Sequence, residues 1–442
     1  MAKRKVIIVG AAGRDFHNFN LLYRQNKEAE VIAFTATQIP DIDGRKYPAE
    51  LAGRQYPNGI PIVNESELPD LVENEVLAGN TVDVVFSYSD VPHNHVMRIG
   101  SIAMAHGANF ILPSPTETMI IASKPVVSVC AVRTGCGKSQ TTRAVSDSLT
   151  HMGKKAVAIR HPMPYGNLVK QRLQRYAQTS DLDKYECTIE EMEEYEPHID
   201  RGRVIYAGVD YEAITRDAEK EADVLLWDGG NNDTPFLKPD LEIVVVDPHR
   251  TGHELLYHPG NTNFLRADVF VVNKIDSAEP EEVDRLIKHC QTYNPDAEII
   301  RADSTLTVEH PEVIKGKRVL VVEDGPTLTH GEMKIGAGTV AAQRNGATEL
   351  IDPRSVAVGG IKATFEKYPE IGTLLPAMGY GQQQIKDLEA TINAADCDAV
   401  VIATPIDLNR IVNIKKPNTR VNYELDEHSA AKLDAILKRK FG

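Results

Sequence analysis

The stretch that decides the fold is Val126-Val127-Ser128-Val129-Cys130-Ala131-Val132-Arg133-Thr134-Gly135-Cys136-Gly137-Lys138-Ser139. An apolar run of strand length enters a glycine-containing loop that closes on Lys-Ser and opens a helix expected over Ser139–Met152. That order is what a phosphate-binding loop requires, because successive backbone N–H groups and a helix N-terminus together hold phosphate oxygens. Thr134, Gly135, Cys136, Gly137, Lys138, Ser139 and Gln140 are the expected nucleotide contacts, with Lys138 on the β- and γ-phosphates and the Ser139 hydroxyl on Mg²⁺. Val132 stands where the usual pattern begins with glycine.

Two further motifs follow in the order this loop demands. Val224-Leu225-Leu226-Trp227-Asp228-Gly229-Gly230 is an apolar strand ending in a carboxylate, the Walker B arrangement, so Asp228 is the second expected Mg²⁺ ligand. Asn231 occupies the place of the glycine in the DxxG of switch GTPases, which weakens a simple switch reading. Val269-Phe270-Val271-Val272 then leads into Asn273-Lys274-Ile275-Asp276, an NKxD sequence. In that motif the aspartate accepts from guanine N1 and N2, and adenine offers no such donor pair. Asn273, Lys274 and Asp276 are therefore expected at the base, with GTP or ATP as the co-substrate.

Outward from this core, Val/Ile-rich runs alternate with amphipathic stretches, the pattern of βα units around parallel sheets. The expectation is an α/β protein with a P-loop NTPase core at 124–304. An N-terminal Rossmann-like domain is expected at 1–123 and a C-terminal α/β region at 305–442. The first block carries Gly10-Ala11-Ala12-Gly13-Arg14-Asp15 after its first strand, whose glycines would let an anionic ligand approach, and Ser87-Tyr88-Ser89-Asp90 at another strand end. A first block used only for packing is an equal alternative.

Three loops suit a small anionic substrate: Arg160-His161 after the second strand of the core, Asp247-Pro248-His249-Arg250-Thr251-Gly252-His253, and Glu323-Asp324-Gly325 running to His330. All follow strands, where open α/β sheets hold ligands. Arg160, His161, His249, Arg250, His253 and His330 would form a basic pocket, since arginine forks match phosphate or carboxylate. The glutamates of 186–200 read as a solvated helical face, with a lid between the second strand and Walker B as the alternative.

Composition excludes several classes. The chain has 442 residues, 49 Lys+Arg against 63 Asp+Glu and a formal charge of −14, which argues against a generic basic face for nucleic acid. Apolar runs are strand-sized, so no membrane partner is expected. Five cysteines without a CxxC fit a reducing cytoplasm rather than a disulfide framework.

Arg133 stands where P-loop proteins resembling the nitrogenase iron protein carry a second lysine that reaches nucleotide across a dimer. It is thus a candidate catalytic residue beside Lys138 and Asp228, and a homodimer goes with that reading. Together, AVRTGCGKS, WDGGNND, NKID, EDGPTLTHGEM, VIIVGAAGRDFHNF and PAMGYG resemble archaeal and bacterial proteins described as predicted GTPases or cyclic 2,3-diphosphoglycerate synthetase-like proteins. The resemblance implies a P-loop core flanked by other α/β domains and an Mg²⁺- and NTP-dependent synthetase or phosphotransferase acting on a phosphorylated substrate. The named chemistry closes a phosphoanhydride in 2,3-diphosphoglycerate with ATP. A GTPase with a regulatory or assembly role is the alternative.

Overall fold

The computed structural model describes residues 3–36, 44–160, 166–230, 233–329, 333–378 and 381–442. Among these residues three main sheets succeed one another along the chain. The first runs in the order Lys46–Tyr47, Ile60–Asn64, Ala29–Ala36, Arg4–Val9, Val82–Phe86, Asn109–Ile111, parallel apart from its two-residue edge. Arg4–Val9 lies at the centre, paired with Ala29–Ala36 on one side and Val82–Phe86 on the other.

The second sheet has eight strands, in the order Gln174–Tyr176, Val204–Ala207, Ala156–Arg160, Val224–Asp228, Val126–Ala131, Leu241–Val246, Val269–Val272, Glu298–Arg301. Only the Gln174–Tyr176 edge is antiparallel. Helices cover both faces, so the central strands are apolar along their whole length rather than alternating. Val126–Ala131 and Val224–Asp228 are buried at every position. Trp227 is fully buried against Tyr211 and Phe236, with ring centroids 5.9 and 4.6 Å away. Truncating a buried aromatic of this kind costs about 3–5 kcal/mol. Parallel register puts the ends of Val126–Ala131 and Val224–Asp228 side by side, which is what brings the two phosphate-site motifs together.

The third sheet contains Ser304–Val308, Asn418–Leu425, Ala399–Ala403, Arg318–Asp324, Leu375–Ala377 and Glu349–Leu350. The last helix, Glu427–Phe441, leaves it and returns to the second sheet, where Leu433, Ile436 and Leu437 join the core beneath the P-loop helix Lys138–His151. The α/β class with a P-loop NTPase core is thus the observed fold. Ser304–Val308 and Asn418–Leu425 escaped the sequence reading because they form an antiparallel edge pair of partly exposed, polar-rich strands.

Two expectations are corrected. The glutamate-rich segment forms the helix Ile189–Ile199, but Glu191, Glu193 and Glu196 are buried rather than solvated. Glu191 caps the helix through Thr188, Glu194 pairs with Arg160, and Glu196 pairs with Arg410 of the third-sheet region at 3.1 Å. Buried carboxylates persist where cations and N–H groups meet them. The glycine loop of the first block is filled by its own Asp15, whose carboxylate accepts from Ala12 N–H and Phe16 N–H, both at 2.7 Å. A Cβ at Gly10, where φ is +132°, would lie 2.7 Å from Asp15 Oδ2, so the glycine admits this carboxylate. Burial raises the Asp15 carboxyl to about 7.

Among the described residues no helix is long and apolar enough to cross a membrane. All five cysteines are free.

Candidate active site

Gly135 and Gly137 of the loop take φ of +81° and +105°, a region that disfavours a side chain. At Gly137 a Cβ would come within 2.0 Å of Asn273 Nδ2, so the loop is packed directly on the NKxD strand end. Asn273 donates from Nδ2 to the Cys136 carbonyl at 2.9 Å, and Lys274 donates to the Gly135 carbonyl. Lys274 and Arg250 both pair with Asp247, at 3.0 and 3.1 Å. Arg250 also donates to the Thr134 carbonyl at 2.8 Å and to Cys136 Sγ at 3.3 Å. Burial would raise the Asp247 carboxyl, but Lys274 and Arg250 hold it at about 2. The loop carbonyls are therefore turned toward these donors from the neighbouring strand ends.

On the other side of the loop stands Asp90 of the first sheet's region. Arg133 is 1% exposed and donates from Nε to Asp90 Oδ1 at 2.7 Å. It also donates to His253 Nδ1 at 2.7 Å, and its guanidinium lies 3.6 Å over the Tyr257 ring. Arginine has only donors, so His253 Nδ1 must be the acceptor. Thr134 donates to Asp90 Oδ2 from N–H at 3.2 Å and from Oγ1 at 2.7 Å. A short antiparallel ribbon, Val91–Pro92 with Tyr257–His258, ties the same two regions. Arg14 and His17 form a second tie: Arg14 pairs with Asp233 at 2.9 Å, and His17 stacks on Phe236 with centroids 4.1 Å apart.

The chemistry converges on Asp228, which is 3% exposed. Its Oδ1 accepts from Lys138 Nζ and from Thr142 Oγ1, the latter at 3.2 Å. Its Oδ2 lies 3.2 Å from His198 Nε2 and 3.3 Å from Arg160 Nη1. Arg160 also meets Glu194 at 2.5 Å. Burial opposes ionisation here, but Lys138, Arg160 and His198 hold the Asp228 carboxyl well below the usual carboxylate range. Asp228 is thus an anion that only accepts, and His198 Nε2 is the donor.

Of the expected substrate residues, Arg160 is beside Asp228, Arg250 and His253 brace the phosphate loop, and His249 meets Ser277 Oγ at 2.9 Å. His161 and His330 lie outside the described residues. Gln140 is buried, with its carbonyl accepting from Ser304 Oγ at 3.1 Å. Asp276 accepts from Ser304 N–H at 3.1 Å and pairs with Arg344 of the third-sheet region at 2.9 Å. The sequence reading singled out Asp90 only as part of a strand-end segment, and missed His198 and Glu194 as site residues. A histidine and a glutamate within an acidic helix carry no motif that ties them to Walker B.

Strand, loop and helix, with Lys138 at the helix start paired to Asp228 at the end of the adjacent parallel strand, define a P-loop NTPase. A protein of Thermococcus kodakarensis named arginine synthetase ArcE is 61% identical over 437 residues, covering 99% of this chain and 96% of that protein. The chain belongs to the arginine synthetase ArcE family. No protein-family model matches it. Among solved structures, LpxK of Aquifex aeolicus in complex with ATP aligns at 12% identity with a TM-score of 0.43, over 74% of this chain and 91% of that one. Cobyrinic acid a,c-diamide synthase of Mycobacterium smegmatis, with an ATP analogue and magnesium, aligns at 16% identity with a TM-score of 0.19, over 41% and 71%.

Proposed function

We propose that this chain is an ATP- and Mg²⁺-dependent synthetase whose product is arginine, acting in a reducing, cytoplasmic compartment. The observation that carries the reading is the Lys138–Asp228 pair at the mouth of the phosphate loop, in a chain 61% identical to a protein named arginine synthetase. Arginine ends in a carbon bearing three nitrogens. A synthetase that completes it must turn an oxygen on that carbon into a leaving group. Transfer of the γ-phosphoryl of ATP to a ureido-type oxygen releases ADP. Attack by a nitrogen nucleophile then expels phosphate and closes the guanidinium.

In this reading Lys138 leaves Asp228 for the β- and γ-phosphates and neutralises charge as the phosphoryl moves. Arg160, held by Glu194 and Asp228, faces the same centre. Arg133, engaged by Asp90, His253 and Tyr257, braces the loop. Ser139 and Asp228 are hard oxygen donors and would hold Mg²⁺, which when bound offsets phosphate charge. Among the described residues no group of three or more His, Cys, Asp or Glu side chains could hold a metal ion.

The finer reading drawn from resemblance is ring closure in 2,3-diphosphoglycerate; the name of the 61% identical relative supports the arginine-forming reading over it. Asp276, already bonded to Ser304 and Arg344, supports ATP over GTP and an enzyme over a regulatory GTPase.

The test is to supply ATP, Mg²⁺, an ammonium salt and a panel of ureido and phosphorylated acceptors, and to quantify arginine and ADP together. Equimolar arginine and ADP are expected. ADP formed only with 2,3-diphosphoglycerate, alongside a cyclic product, would overturn the assignment.

A further inference from the structure

We propose that His198 is a positioning residue that fixes the Walker B carboxylate so that one oxygen is presented to the nucleotide-bound cation; this rests on the P-loop reading above. The two oxygens of Asp228 are divided between different neighbours. Oδ1 faces the P-loop helix through Lys138 and Thr142. Oδ2 faces away from it, toward His198 and Arg160. When Lys138 moves to phosphate, Oδ1 keeps only the Thr142 hydroxyl, which leaves it a lone pair for a cation, while Oδ2 keeps its two donors. A carboxylate pinned through one oxygen cannot rotate freely, and outer partners of this kind orient a metal's ligand.

His198 itself is held from outside the P-loop sheet. It lies in the last turn of Ile189–Ile199 and is 5% exposed. The helix start is fixed by the reciprocal bonds of Thr188 and Glu191. One turn before His198, Glu194 grips Arg160, and Glu196 grips Arg410. One helix thus supplies a donor to Asp228, orients the second donor, and is tied to the region of the third sheet. Glu191, Glu194 and Glu196 of this helix each serve that arrangement.

The experiment is calorimetric binding of ADP to the full chain, with Mg²⁺ and with EDTA, for wild type, His198→Leu and His198→Gln. Leucine fills space without a donor, whereas the glutamine amide replaces Nε2–H. The expected result is that His198→Leu loses about tenfold of the Mg²⁺-dependent gain in ADP affinity, with affinity in EDTA unchanged, and that His198→Gln recovers most of it. Wild-type Mg²⁺ dependence in His198→Leu overturns the inference alone. So does an equal loss with and without Mg²⁺, which marks a purely structural role. Absence of Mg²⁺-dependent ADP binding in the wild type overturns the P-loop reading with it.

Discussion

Asp90, four residues beyond a strand of the first sheet, accepts from Arg133 and Thr134 of the phosphate loop, at 2.7 Å to each side chain. One carboxylate therefore fixes two consecutive loop residues from outside the sheet that bears them. Its own backbone takes φ of +56°, a conformation uncommon outside glycine. The region of the first sheet is thereby joined directly to the phosphate loop.

Removing that carboxylate leaves a buried guanidinium short of its anion. Breaking such a pair costs about 3–5 kcal/mol. Asp90→Ala is expected to lower the thermal midpoint and to weaken ADP binding by about tenfold or more, because the loop loses its set shape. Calorimetry on folded variant at low temperature checks the second effect. Unchanged ADP affinity would remove Asp90 from the site.

Lys138→Ala should reduce ATP turnover by about a hundredfold or more, since the lysine acts on charge in the transition state. Asp228 keeps Arg160 and His198, so the fold should survive, as circular dichroism would report. Turnover near wild type would sink the assignment of the loop.

The NKxD sequence carries a test of base choice. With Asp276 engaged by Ser304 N–H and Arg344, ATP should be used at least as well as GTP, and Asp276→Ala should leave the ratio within about threefold. Competition binding of ADP against GDP measures this. A GTP preference of about tenfold, erased in the variant, would restore the guanine reading.

Glu323 is buried and accepts from Gly338 N–H, Thr339 N–H and Thr339 Oγ1 at the start of Ala337–Arg344. Burial outweighs these bonds and raises its carboxyl to about 7, from an ordinary value of 4.5. A raised folded pKa means the native state holds its proton longer than the unfolded chain. The stability this gives is complete below the unfolded value and is lost as pH climbs through about 7. Wild type should therefore lose thermal midpoint relative to Glu323→Gln between about pH 4.5 and 7.5, read as the difference between two denaturation series. A difference that does not change with pH would show that Glu323 is already ionised throughout.

The sequence by itself determined the P-loop fold and the pairing of its two signature residues, Lys138 and Asp228. A strand–loop–lysine–helix order, a strand-terminal aspartate and all-apolar central strands are local patterns, and each fixes backbone geometry within a few residues. Asp228 and Lys138 were legible for that reason. What only the tertiary structure decided is who meets whom across distance. Asp90 reaches Arg133 across 43 positions, and Arg344 reaches Asp276 across 68. Glu194 and Glu196 of Ile189–Ile199, which look like a wet surface on any helical wheel, instead meet Arg160 and Arg410. The same holds for Asp15, whose carboxylate fills the glycine loop that reads as an anion site. Charge in a sequence specifies a partner's sign but not its position, and burial by other elements decides whether that charge faces water, a ligand or another side chain.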